Sequence, residues 1–159
     1  MNVINESGIL AISTRLQRLS EQLRKDGALV YKAFDIDFEP KWFPVIFTLY
    51  HKQPLSVVEL ANEIGYTHPS TISLLKELEK EKMIISKKDK QDERKRLIGL
   101  APKGLELIEK MKPVWELIST VLGEIADNNN HLLKAIDEAE EKLANQSFLQ
   151  RALQLKNTK

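Results

Sequence analysis

The stretch from Ser56 to Lys80 constrains this chain most, because two short amphipathic helix patterns meet there across a tight turn. Ser56 with Glu59 three residues on is a capping-box pattern, in which hydroxyl and carboxylate each satisfy one orphan N–H of a first helical turn. Gly65 follows the last periodic apolar residue, Ile64, where a helix end favours glycine. These caps predict a helix of about ten residues. Beyond Tyr66, Thr67 reads as the next N-cap with Pro69 in the first turn, and Ile72, Leu75 and Leu78 supply a stripe to bury. The layout is a helix-turn-helix, whose second helix is free to enter a DNA major groove.

The residues beyond Lys80 suit that layout. Met83, Ile84 and Ile85 open a short apolar run, KKDKQDERKR interrupts it, and Leu97 to Leu100 is apolar again. Two short strands joined by a charged loop are expected, a hairpin that reads as a wing. From Lys82 to Arg96 there are seven Lys or Arg against three Asp or Glu, a local balance of +4. Leu97 to Lys142 carries five basic and nine acidic residues, a balance of −4. The net charge of +1 therefore hides a dipolar layout, with one end fit to meet phosphate.

The flanks are helical. Ile9, Ile12, Leu16, Leu19 and Leu23 recur at steps of three and four, with Gly27 weakening the pattern before a kinked or second piece carrying Val30 and Phe34. Pro40 marks a new start, and Trp42 to Tyr50 is apolar almost all round, a buried helix with a strand as the rival reading. Leu105, Ile108, Met111, Trp115, Ile118, Leu122 and Ile125 sustain a long helix with a bend at Pro113. Asn128 to Asn130 break it. A further helix carries Leu132, Ile136, Ala139 and Leu143, and Ser147 caps a last one with Leu149, Ala152 and Leu153.

Composition excludes several classes. The 159 residues contain no cysteine, so no disulfide framework, thiolate zinc site or thiol chemistry operates within the chain. No apolar run approaches the roughly 20 residues of a membrane span and no leader pattern opens the sequence, which makes the expected location cytoplasmic with no membrane partner. His51, His68 and His131 fall in different elements without partners at metal-site spacing, so no metal site and no cofactor are expected, although His68 could donate to a phosphate. No Gly-rich phosphate loop or nucleophile motif is present, so the chain is read as no enzyme, with no catalytic residues.

Asp92-Glu93-Arg94 together with Leu100, Ala101 and Gly104 is similar to the wing pattern D-x-R-x-x-x-x-x-L-T-x-x-G of the MarR family, and LSVVELANEIGYTHPSTISLLKELEKEKMI resembles that family's helix-turn-helix. The resemblance implies that Arg94 probes the minor groove while Asp92 braces it by an ion pair, and that terminal helices dimerise. A guanidinium held by a carboxylate loses less side-chain freedom on binding. Ala101 departs from the family's Thr, and Gly99 stands where a strand usually carries a side chain; both bear on wing rigidity.

The expected fold is mainly α with a small β-hairpin wing: an N-terminal dimerisation helix over 1–35, a winged helix-turn-helix over 36–104 and C-terminal dimerisation helices over 105–159. The expected function is that of a ligand-responsive repressor binding double-stranded DNA as a homodimer on a pseudo-palindromic operator. A winged-helix module that binds another protein is the alternative, against which the basic wing argues. The candidate DNA-binding residues are Pro69, Ser70, Thr71, Ser73 and Lys76 on the second helix with Asp92, Arg94 and Arg96 on the wing. Trp42, Phe43, Phe47 and Trp115 are either plain core or, as the resemblance implies, the pocket of a small aromatic effector.

Overall fold

The computed structural model describes residues 2–158. The chain divides into two compact units, the first running to Val114 and the second beginning at Trp115. This division differs from a boundary at 104/105. Ile108, Met111 and Val114, on the first half of the long helix, are buried in the first unit and make that half part of its core.

The first unit opens with α1 (Val3–Glu6) and a 3₁₀ turn (Gly8–Ala11), which lead into α2 (Ile12–Ala33). The helix α2 runs without interruption through Gly27, where an added Cβ would stand 3.4 Å from the Pro40 ring. Its expected apolar stripe does not sink into the chain's own core: Ile12, Leu16 and Leu19 are exposed. A 3₁₀ turn (Pro40–Trp42) precedes α3 (Phe43–His51), which is a helix and not a strand and buries Val45, Ile46 and Leu49.

Next come β1 (Leu55–Ser56) and α4 (Val57–Ile64). Both halves of the Ser56–Glu59 capping box are made, and Gly65 ends α4 at φ 72°. The N–H and hydroxyl of Ser56 hold the Glu59 carboxyl below its ordinary pKa. Thr67 caps α5 (His68–Lys80) through the Ser70 N–H. The helix α5 then ends in a Schellman pattern: Met83 N–H reaches Leu78 O and Lys82 N–H reaches Glu79 O, both at 2.9 Å, with Lys82 at φ 59°. That reversal turns the chain directly into the wing.

The wing is β2 (Ile84–Lys88) paired antiparallel with β3 (Arg96–Leu100). It carries a third strand that periodicity missed, because two residues give no alternation to detect: Leu55 pairs with Ile98 and Ser56 with Leu97, in the order β1-β3-β2. The Gln53 amide oxygen continues this ladder by accepting the Leu100 N–H at 2.8 Å. A Cβ on Gly99 would come within 3.3 Å of that oxygen, which accounts for glycine inside the strand.

Helix α6 (Pro102–Ala126) crosses from the first unit into the second. Leu60, Leu78, Met83, Ile98, Leu100, Ile108 and Met111 complete the first unit's core. The second unit continues with α7 (Leu132–Asn145) and α8 (Phe148–Asn157), the latter opened by a complete Ser147–Gln150 capping box. No helix among the described residues is long and apolar enough to cross a membrane.

Candidate nucleic-acid interface

Helix α5 buries one side and presents the other. Thr71, Leu75 and Leu78, spaced i, i+4 and i+7, are buried, so the 100° step per residue leaves Pro69, Ser73 and Lys76 on the outer face, all exposed. Thr71 must therefore be removed from the groove-facing set. It is fully enclosed, with its methyl in the core and its hydroxyl donating to Thr67 O at 2.9 Å. Ile72, expected in the buried stripe with Leu75 and Leu78, is only half-buried, and Thr71 takes its place. Ser70 is exposed, and its hydroxyl accepts from Thr67 Oγ1–H at 2.9 Å.

The wing tip is organised by its acidic residues. Asp89 Oδ1 accepts the Gln91 N–H at 2.9 Å, and Asp92 Oδ1 accepts the Arg94 backbone N–H at 3.1 Å. Lys95 donates its N–H to Asp92 O, and Asp89 its own to Lys95 O. Asp92 thus braces the backbone that carries Arg94, and among the described residues it forms no ion pair with the guanidinium. The geometry corrects the expected side-chain pairing: the i, i+2 spacing closes an Asx turn onto the nearby N–H. The Arg94 guanidinium is left exposed and unpaired among the described residues. Arg96 differs, because its Nε donates to Ser86 Oγ at 2.6 Å and its Nη2 to Ser86 O at 3.3 Å, tying β3 to β2. It is a strut of the wing as well as a surface cation.

Sequence reading missed the flank of α5 that faces α2. Glu77 accepts the indole N–H of Trp42 at 3.0 Å and pairs with Lys41 at 2.9 Å, while Lys41 also meets Glu39 at 3.2 Å. The Trp42 bond, and after it Lys41, hold the Glu77 carboxyl below its ordinary pKa; Glu77 and then Glu39 raise that of Lys41. Further along, Arg24 Nη2 donates to the Tyr66 hydroxyl at 3.1 Å. Arg24, Tyr66, Ser70 and Ser73 line one part of a recess of about 330 Å³ that Lys41 and Glu77 also border. The bonds that tie Glu77 to Lys41 and Trp42 and Tyr66 to Arg24 join residues 35 to 42 positions apart, beyond the reach of any local pattern.

Of the four aromatic candidates, Trp42, Phe43 and Phe47 belong to the first unit and Trp115 to the second. Trp42 is 5% exposed, with its ring edge-on to Phe38, and that enclosure makes it core and removes it as a ligand-facing surface. Phe43 and Phe47 stack at 4.9 Å between centroids, with Phe47 exposed. Trp115 is half-buried in the second unit. A separate recess of about 280 Å³ is lined by Phe34, Asp35, Ile36, Lys110, Pro113 and Val114, none of them among the four.

A helix-turn-helix with a three-stranded wing, its second helix presenting an outer face and its hairpin a basic tip, defines a winged helix-turn-helix protein. Residues 36–95 match the profile of the MarR family. Among curated proteins there is no significant match. Among solved structures, the chain is similar to the Staphylococcus aureus MepR–DNA complex at 21% identity, with 84% of this chain and 97% of that chain covered and a TM-score of 0.68. It is similar to the transcriptional repressor CouR bound to a 23-mer DNA duplex at 22% identity, with 84% and 96% covered and a TM-score of 0.68. Bordetella bronchiseptica BpsR, whose DNA binding is regulated by 6-hydroxynicotinic acid, aligns at 20% identity over 82% of this chain and 98% of that one, with a TM-score of 0.58. At these identities the likeness establishes the fold.

Proposed function

We propose that the chain is a sequence-specific DNA-binding transcriptional regulator, a repressor that acts as a homodimer on a pseudo-palindromic operator. The observation that carries this reading is the pairing of an exposed α5 face, Pro69, Ser73 and Lys76, with a basic wing whose Arg94 guanidinium has no partner among the described residues. Serine and lysine side chains can bond phosphates and base edges, while an arginine on a wing suits the narrow minor groove, where negative potential is focused. Selection of binding sites from random duplexes by the full chain tests the reading, and enrichment of an inverted repeat also reports the dimer. Recovery of no enriched sequence removes it.

Arg94→Ala is expected to weaken binding to the selected duplex by about 1–3 kcal/mol, with the unfolding midpoint unchanged because the residue supports no core. Equal affinity in an anisotropy titration would show that the wing tip does not touch DNA.

The regulator is further proposed to answer a small aromatic effector, a reading supported by the Phe43–Phe47 stack, in which Phe47 is exposed and Phe43 half-buried, and by the regulation of BpsR by 6-hydroxynicotinic acid. A ligand that prefers the dimer geometry with mismatched α5 helices lowers DNA affinity by its coupling free energy, typically about 1–3 kcal/mol. A panel of phenolic acids is expected to include one that quenches tryptophan emission and releases bound duplex. No response in either measurement withdraws the effector.

A further inference from the structure

The recess beside α5 points to a contact that lies outside both the helix-turn-helix and the wing. We propose that Arg24, on the long N-terminal helix α2, is a ligand of a DNA backbone phosphate, with Tyr66, Ser70 and Ser73 completing an oxyanion cradle; this rests on the DNA-binding reading above.

The geometry singles out this flank. With Thr71, Leu75 and Leu78 turned inward, Pro69, Ser73 and Lys76 point straight out and Ser70, Leu74 and Glu77 form one shoulder of the helix. An α-helix with its side chains is about 10–12 Å across, and the B-DNA major groove is about 12 Å wide. A helix seated there has its shoulders level with the phosphates of the groove rim. Arg24 and Tyr66 border the recess on that shoulder together with Ser70, and Ser73 borders it from the outer face.

Charge and hydrogen bonding then single out the residue. Lys41 borders the same recess but is held by two carboxylates, Glu77 at 2.9 Å and Glu39 at 3.2 Å. Arg24 is exposed, has no ion-pair partner among the described residues and uses one donor on the Tyr66 hydroxyl, so most of its five N–H groups remain available. The Tyr66 oxygen accepts from Arg24, which leaves the phenolic proton to donate outward. Ser70, whose oxygen accepts from Thr67, likewise has its own proton to give. These donors converge beside the first turns of a 13-residue helix, whose N-terminal partial charge adds to the attraction for an anion.

A phosphate contact leaves a signature that a merely structural residue does not. Each neutralised phosphate contributes about 0.9 to the slope of log affinity against log salt. The full chain and its Arg24→Ala, Arg24→Gln and Arg24→Lys variants are titrated by anisotropy, across potassium chloride from about 50 to 200 mM, against the duplex that the wild type selects. The two neutral variants are expected to lose about 1.8 of the slope, about 0.9 for each half-site that the proposed dimer contacts, so that their deficit shrinks about twelvefold over that range, while Arg24→Lys keeps the slope. Wild-type slopes in both neutral variants overturn the proposal whatever happens to affinity, and leave the DNA-binding reading standing. Failure of the wild type to bind any duplex overturns both.

Discussion

Gly104→Ala is expected to cost about 2 kcal/mol or more of folding stability, although alanine is ordinarily the better helix former. The methyl would run into the Met83 carbonyl oxygen and stand 3.2 Å from its carbon, so backbone has to move. That oxygen is not idle: it accepts the Ala101 N–H at 2.9 Å, immediately beside the Ile84–Leu100 pair that begins the wing ladder. Helix propensity favours alanine by about 1 kcal/mol, and overpacking a tight site costs about 1–3 kcal/mol, sometimes more. Here the obstruction is main chain pinned by α5 on one side and the sheet on the other, so the larger figure governs. Such a loss is a substantial part of the roughly 5–15 kcal/mol that holds a domain folded. Urea denaturation should show a lower midpoint with an unchanged slope. A midpoint equal to or above the wild type would mean that α6 can shift on the sheet at little cost.

The same contact shows why some of the fold could be read from sequence and some could not. Features written within one turn of helix were legible: the Ser56–Glu59 box, the Gly65 end, the Thr67 cap and the Ser147 cap all depend on residues three or four apart. Gly104 stood out as part of a spacing pattern, but its reason, a close approach to Met83, belongs to tertiary packing. Gly99 similarly needed Gln53, which sits 46 positions earlier, before glycine in a strand made sense. Amphipathic counting failed at Thr71 because it treats threonine as polar, whereas a hydroxyl bonded back to Thr67 O leaves a side chain that packs like an apolar one.

The interface was legible as two segments but not as a surface. The family resemblance implied a side-chain ion pair between Asp92 and Arg94, yet a short carboxylate finds the backbone N–H two residues on more readily than a mobile guanidinium. The recess bordered by Arg24, Tyr66 and the two serines could not be found at all by periodicity, since α2 reads as a dimerisation helix and nothing local marks one of its arginines. Ion-pairing then separates Arg24 from Lys41, two cations of the same recess.

Deleting residues 146–159 should convert a dimer into monomer or aggregate and lower affinity for the selected duplex by at least about a hundredfold. The terminal helix α8 is properly capped, yet Phe148 is 80%, Leu149 67% and Leu155 68% exposed, an arrangement that a helix adopts when its apolar side is meant for another surface. Leu133 and Leu143 on α7 are exposed as well, as are Ile9, Leu10 and Ile12 at the other end of the chain. Isolated exposed leucines are ordinary, but apolar residues spread over the helices at both ends leave more unpaired surface than a monomer usually tolerates. A second copy is the partner that the proposed symmetric operator calls for, since each α5 would then meet its own half-site. Losing one half of a bivalent contact removes the effective concentration of the second, typically worth about 10²–10⁴ in affinity. Light scattering and anisotropy on the truncated chain read both effects. A folded dimer that binds the duplex as the full chain does would place the dimer contact elsewhere, whereas a folded monomer with single-site affinity would locate it in α8.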